Sequence, residues 1–392
     1  MSVFFGVDSI LQEPPAWKTA RIGLVTNQAA TTATGIPSRK ALLDAGFGIQ
    51  KLFSPEHGLE VTGADGHRMK DGTDTLTGLP VISLYNTKLA PDAADLAGLD
   101  YVVFDVPDVG SRFYTYLWTM THVMEACAKA RIPLVILDRP NPISGNLLLA
   151  EGPMLEEAQS SFIGRWPIPI RHSCTLGELA YYFNKNRQIN VNLLVVKCRD
   201  WKRTDFLSDW HLPFIPTSPA IRSYESMLLY PGLCLLEATN LSEGRGTMQS
   251  FTAVGAPWLR HEELAGEINR LFAAEIRCET ASFTPDNIHV KFHEKRCKAI
   301  IFNVIDPESF KPVFFGTILI RLLRDMHPAQ FRWQPYITMV NPTGKNHLDK
   351  LLGITGAEAL MDLPMQNFIA TITRLTSCRE WAQEIGPYLL YD

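Results

Sequence analysis

IQKLFSPEHG, residues 49–58, is the stretch on which the reading of this chain turns. Its apolar half, Ile49 to Phe53, has the texture of a buried strand, and it runs straight into Ser54, Pro55, Glu56, His57 and Gly58. A carboxylate and an imidazole at the end of a rigid strand can be held at fixed orientation to a ligand. Working outward, the same pattern returns in ARIGLVTNQ (20–28), PVISLY (80–85), YVVFDV (101–106) and PLVILDRPNP (133–142). The runs are nearly continuous in hydrophobicity rather than alternating, as burial on both faces by crossover helices requires. Helix candidates lie between them at 38–47 and 117–130. A further strand-like run at 191–201 follows a helix that Thr175 caps with Glu178 three residues on. The fold class is therefore an α/β open sheet, in which ligands sit outside the carboxyl ends of the strands.

Past Trp201 the texture changes. DWHLPFIPTSPAI (209–221) carries three prolines and marks a boundary near 205–225, dividing the chain into 1–215 and 216–392. The second part reads as a smaller α+β unit, with helices over 262–274 and 367–384 and a strand at 298–304.

Composition narrows the function. Of 392 residues, 37 are Lys or Arg and 41 are Asp or Glu, giving a net charge of -4 that excludes a strongly basic nucleic-acid binder. The seven cysteines are dispersed, which fits neither a disulfide scaffold nor a cysteine metal knuckle. Asp8 and Glu13 precede the first basic residue, unlike a signal peptide. No apolar run approaches the roughly 18 residues that span a bilayer, so no membrane role is expected. The chain as it stands reads as cytoplasmic, and as periplasmic or secreted if it is a processed form. GRGT at 244–247 is not a phosphate-binding loop and no GxGxxG follows the first strand, so no nucleotide cofactor is expected.

The polar clusters after the strands supply the candidates. Glu56 could serve as a general acid or pair with a base at the sheet edge, and His57 could orient it. Asn27 ends the first strand. Asp105 and Asp108 end another and lead to Arg112 and to Tyr114 and Tyr116, whose phenols could stack on a sugar or steady a carboxylate. Glu151 follows a short apolar run as Glu56 does. Arg171 and His172 precede a helix. The densest polar segment, LLEATNLSEGRGT (235–247), contains Glu237, Asn240, Glu243 and Arg245, with Arg245 between two glycines. His57 with His67 and Asp105 or Asp108 is the metal alternative, although the spacing matches no zinc motif and no metal is expected.

Taken together, GLVTNQAA, LFSPEHG, TGLPVISLY, FDVPDVGSRFYTYLWTM, VILDRPNPISG, EGPMLE, PIPIRH with TLGELA, LLEATNLSEGRGT and GAPW resemble the DUF1343 family. They span residues 23–258 in order, and GKNHLDKLLG extends the likeness to 353. The family's characterised members are exo-acting β-N-acetylmuramidases of the NamZ type. The resemblance implies a Rossmann-like N-terminal domain, a smaller C-terminal domain and a cleft between them. There a terminal non-reducing MurNAc is hydrolysed from fragments such as MurNAc-GlcNAc, with no cofactor. It makes Glu56 the acid, brings Glu243, Tyr114 and Tyr116 to the cleft, and leaves Glu243, then Glu151, as partner carboxylate. For the lactyl carboxylate of MurNAc the candidates are Arg245, Arg171 and Arg112, in that order. The chain departs from the family at Glu60, Pro107, Ser173 and Ala238, which leaves open a changed glycan preference. The rival readings are a glycan-binding protein without turnover and a metal-assisted amide or ester hydrolase.

Overall fold

The computed structural model describes residues 2–392. Ten strands form two sheets: β1 (Ile22–Thr26), β2 (Ile49–Ser54), β3 (Gly72–Thr73), β4 (Pro80–Ser83), β5 (Tyr101–Asp105), β6 (Leu134–Leu137), β7 (Leu193–Val196), β8 (Ala253–Ala256), β9 (Ile276–Phe283) and β10 (Cys297–Val304). The first sheet has the order β3-β4-β2-β1-β5-β6-β7. All its neighbours pair in parallel except β3 with β4. The chain winds outward from β1 through β2 to β4, then restarts at β5 on the other side of β1, the doubly wound arrangement of a Rossmann-like domain. β1 is buried along its whole length and sits between β2 and β5. The second sheet, β8-β10-β9, is antiparallel.

Local sequence accounts for the elements that frame the cleft. Thr175 and Glu178 form the expected capping box at the start of Leu176–Asn186. The helix read over 367–384 is two helices, Met365–Thr376 and Arg379–Ile385. The break comes where the Thr376 carbonyl accepts from the Gly152 N–H of the first domain at 2.9 Å instead of continuing the helix. FFGTILIRLL lies within a helix of its own, Pro312–Met326. No helix among the described residues is long and apolar enough to cross a membrane.

The last residues return to the first sheet. Tyr391 donates its hydroxyl to Asp138 at 2.6 Å and accepts from the Cys198 N–H at 3.0 Å. The Leu390 N–H reaches Glu178 at 3.0 Å, and the Trp381 indole N–H reaches the His172 carbonyl at 2.9 Å.

Glu151, weighed from sequence as a second carboxylate, joins the two halves. Its carboxylate accepts from the N–H groups of Val313 at 2.9 Å and Phe314 at 2.6 Å, satisfying donors at the N-terminus of Pro312–Met326. Burial raises its pKa to about 7. Glu151→Ala would leave two buried amides unmatched, and urea unfolding is expected to show a loss of about 1–3 kcal/mol.

Candidate functional site

β2 stops at Ser54 because Pro55 has no N–H to continue the ladder. The chain then turns through left-handed backbone at His57 (φ 67°) and Gly58 (φ 74°). Glu56 ends up 4% exposed beneath this turn. One carboxyl oxygen accepts from the Thr115 hydroxyl at 2.6 Å and the other from the Gly66 N–H at 3.0 Å. Burial pushes this carboxyl above the usual range; His57 opposes the shift, Asp65 adds to it, and the Thr115 and Gly66 bonds pull it part of the way back. His57 Nδ1 donates to the Gly63 carbonyl at 2.8 Å, which leaves Nε2 without the proton in the neutral ring.

The opposite wall belongs to the second half of the chain. Glu237, Arg245, Tyr336, His347 and Lys350 face Glu56 across a cavity. The walls are joined where Tyr336 donates its hydroxyl to Asp65 at 2.5 Å and the Met339 N–H reaches the Gly66 carbonyl at 3.0 Å. Arg245 lies among three carboxylates, 2.5 Å from Glu237, 3.3 Å from Glu243 and 3.6 Å from Asp65, with its guanidinium 4.7 Å from the centre of the Phe251 ring. His347 Nε2 meets the other oxygen of Glu237 at 3.0 Å. Burial alone would raise the Glu237 carboxyl, but Arg245 and His347 bring it down to about 2.

The candidates read from sequence fall into three places. Glu56, His57, Tyr114 and Arg245 line the cavity. Tyr114 and Tyr116 stand edge to face, 4.8 Å between ring centres, and both hold Thr217, one at its hydroxyl (2.8 Å) and one at its carbonyl (2.9 Å). They pin the proline-rich segment to the first sheet. Glu243 lies behind Arg245, where Lys291 meets it at 3.0 Å, and so supports the cavity from outside.

The other candidates are framework. Asp105 holds Arg139 at 2.6 Å, while Asp108 meets His172 at 3.2 Å and the Gly110 N–H at 2.8 Å. Asp108 and Arg139 line a separate, mostly apolar hollow beyond β1, β5 and β6. Asn27 is buried and accepts from the Ala29 N–H at 3.1 Å. Asn240 bonds the backbone of Arg332 and Gln330, at 2.9 Å each.

Two of the three arginines proposed for a substrate carboxylate lie outside the cavity. Arg171 donates to the carbonyls of Ile143 (2.6 Å) and Phe310 (3.3 Å). Arg112, fully buried, donates to those of Pro153 (2.6 Å), Ile168 (2.9 Å) and Leu351 (2.8 Å). Burial lowers the pKa of Arg112 to about 9 and that of Arg171 to about 10. Both serve as carbonyl clamps that carry chain from one half to the other.

Asp65 is the principal residue that sequence reasoning missed. One ligand atom each from Glu56, His57 and Asp65 lie within 4.8 Å of one another, so two carboxylates and an imidazole share one corner. That trio is also the donor set a cation would find. The set weighed from sequence is dispersed, since His67 stands against His289 (5.0 Å) and Asp105 is held by Arg139. The only local mark of Asp65 is its place in GADG, a turn-rich loop just after SPEHG. None of Glu60, Pro107, Ser173 or Ala238, where the chain departs from the family pattern, lines the cavity. Ser173 takes a left-handed φ of 53°.

Comparison with known proteins covers both halves. The family model described as exo-beta-N-acetylmuramidase NamZ, N-terminal, matches residues 22–225, and its C-terminal counterpart matches 228–391. The chain is 39% identical over 331 residues to the peptidoglycan beta-N-acetylmuramidase NamZ of Bacillus subtilis (strain 168), covering 84% of this chain and 79% of that one. Two crystal structures of DUF1343 family proteins from Bacteroides fragilis NCTC 9343 superpose with TM-scores of 0.87 and 0.74, at 25% and 26% identity, each covering 100% of this chain and 99% of the other.

The charge of Arg245 is matched by Glu237, Glu243 and Asp65, so replacing it acts first on the fold. Arg245→Met should destabilise the protein by about 3–5 kcal/mol in urea unfolding, because buried carboxylates lose their counter-charge. A raised KM at unchanged stability would instead make the guanidinium a substrate group.

Proposed function

This chain belongs to the exo-β-N-acetylmuramidase NamZ family, and from that premise we propose how its cleft cuts a glycan. The activity is glycoside hydrolysis, with release of MurNAc from peptidoglycan-derived fragments. Glu56 is the general acid and Asp65 its partner carboxylate. The observation that carries this assignment is the pairing of a buried carboxyl of raised pKa with a second carboxylate within 4.8 Å, inside an inter-domain cavity.

Cleavage passes through an oxocarbenium-like state, so the leaving oxygen must gain a proton while the anomeric carbon gains electron density. Glu56, whose burial favours the protonated form, supplies the proton. Asp65, steadied by the Tyr336 hydroxyl and by Arg245, presents negative charge to the carbon. Inverting enzymes separate their carboxyl groups by about 6.5–9.5 Å to seat a water, whereas retaining enzymes hold them about 5–5.5 Å apart. The closeness of Glu56 and Asp65 supports retention, whether Asp65 attacks directly or orients the substrate's own N-acetyl oxygen for attack. Glu56 then returns as base to activate the water that frees the sugar.

Glu56→Gln should lower kcat/KM by a factor on the order of 10²–10⁴ while MurNAc-GlcNAc still binds in calorimetry; undiminished turnover would sink the assignment. The rate should fall above the Glu56 pKa, since the acid must carry its proton, and fall again at low pH where the partner carboxylate loses its charge. Thr115→Val removes a bond that favours the charged carboxylate, so the pH–rate profile should lose activity at a higher pH than the wild type. Proton NMR of the fresh product should show the β-anomer first, and an initial α-anomer would overturn retention.

A further inference from the structure

MurNAc differs from GlcNAc by one group, a lactyl ether on O3 that is a carboxylate at neutral pH. A cavity that selects it needs a cation whose charge is not already cancelled, because a second carboxylate brought to a saturated ion pair meets only the cost of desolvation. The cations near the cleft sort cleanly on this criterion. Arg245 is matched by Glu237, Glu243 and Asp65. Lys291 is fixed by Glu243 at 3.0 Å and by the carbonyls of Leu236 (2.9 Å) and Leu241 (2.8 Å). Arg112 and Arg171 lie outside the cavity and are bound to backbone.

Lys350 remains. It sits on the short helix His347–Leu352, is half-buried and lines the cavity. Its ammonium donates to one carbonyl, that of Lys345 at 2.8 Å, and among the described residues no carboxylate lies within the 4.0 Å of an ion pair. Among the described residues, four polar atoms on the cavity lining are buried without a hydrogen-bond partner: Asn341 Nδ2, the Ser161 hydroxyl, His347 Nδ1 and Arg245 Nε, the last of which already faces Glu243 at 3.3 Å. Asn341 lies in the segment that leads into the Lys350 helix. The segment of Ser161 is tied to the chain just beyond that helix, where Gln159 donates to the Thr355 hydroxyl at 2.9 Å and the Thr355 N–H reaches Glu156, also at 2.9 Å. A buried donor without an acceptor is costly in the empty protein and is satisfied when a ligand brings one.

We propose that Lys350, with the Asn341 amide and the Ser161 hydroxyl on the same cavity lining, receives the lactyl carboxylate and makes the cavity select MurNAc over GlcNAc. This rests on the muramidase reading above and replaces Arg245, Arg171 and Arg112 in the recognition step. Lys350 contacts the substituent, not the bond being broken, so its contribution is to substrate affinity and kcat should hardly move.

The test uses three chromogenic substrates, the 4-nitrophenyl β-glycosides of MurNAc, of its lactyl methyl ester and of GlcNAc, with the wild type, Lys350→Met and Lys350→Arg. Lys350→Met should raise KM for the acid by about 10- to 100-fold, the weight of a charged hydrogen bond, and leave the ester and the GlcNAc glycoside unchanged. Lys350→Arg should recover part of the loss. Titration of MurNAc and its methyl ester into Glu56→Gln, with and without Lys350→Met, gives the same comparison without turnover. An acid-to-ester ratio that is equal with and without Lys350 would overturn the proposal, as would equal losses for both ligands. If the wild type cleaves no glycoside, the muramidase reading falls and the titration alone decides the role of Lys350.

Discussion

A guanidinium enclosed by acids holds the cleft in shape. Arg245 reaches Glu237 and Glu243 from its own half of the chain and faces Asp65 from the other. A buried ion in a medium of low dielectric tolerates little displacement, because each ångström lost from its partners leaves charge exposed to an apolar surround. The two glycines beside Arg245 take left-handed backbone, φ 78° at Gly244 and 76° at Gly246, which lets the loop bring the side chain into that position. Glu237 is in turn held by His347, and Asp65 by Tyr336. The geometry at Glu56 is thus set from across the cleft.

This arrangement separates two tasks that sequence alone runs together. Acidic and basic residues gathered in one segment look like a binding site, yet most of the charge in LLEATNLSEGRGT is spent on itself. The groups proposed to meet the substrate, Ser161, Asn341 and Lys350, lie outside that segment. Whether a charge is already paired, more than how densely charge is gathered, distinguishes framework from recognition here. The buried arginines make the same point, since Arg112 and Arg171 bind carbonyls and no acid at all.

The sheet was legible because parallel strands buried on both faces must be apolar throughout, and a run such as YVVFDV has few other readings. Glu56 was legible because a strand end fixes its direction and Pro55 marks where the strand must stop. Asp65 was not, since only the turn at His57 and Gly58 and the Tyr336 bond bring it beside Glu56. Lys350 was out of reach for another reason: a lysine on an amphipathic helix looks the same whether it faces water or a cavity. The break after Thr376 depends on a carbonyl diverted to Gly152, a contact across more than half the chain.

The return of the last residues to the first sheet sets an order of assembly. Tyr391 completes the bonding of Asp138 and of the Cys198 backbone, 193 residues earlier in the chain. A ribosome adds about 5–20 residues per second, so the edge at β7 waits roughly 10–40 s for the segment that closes it. During that interval the first domain exists without this strap, and the corner of Glu56, His57 and Asp65 meets its far wall only once Tyr336 and the helix His347–Leu352 have been made.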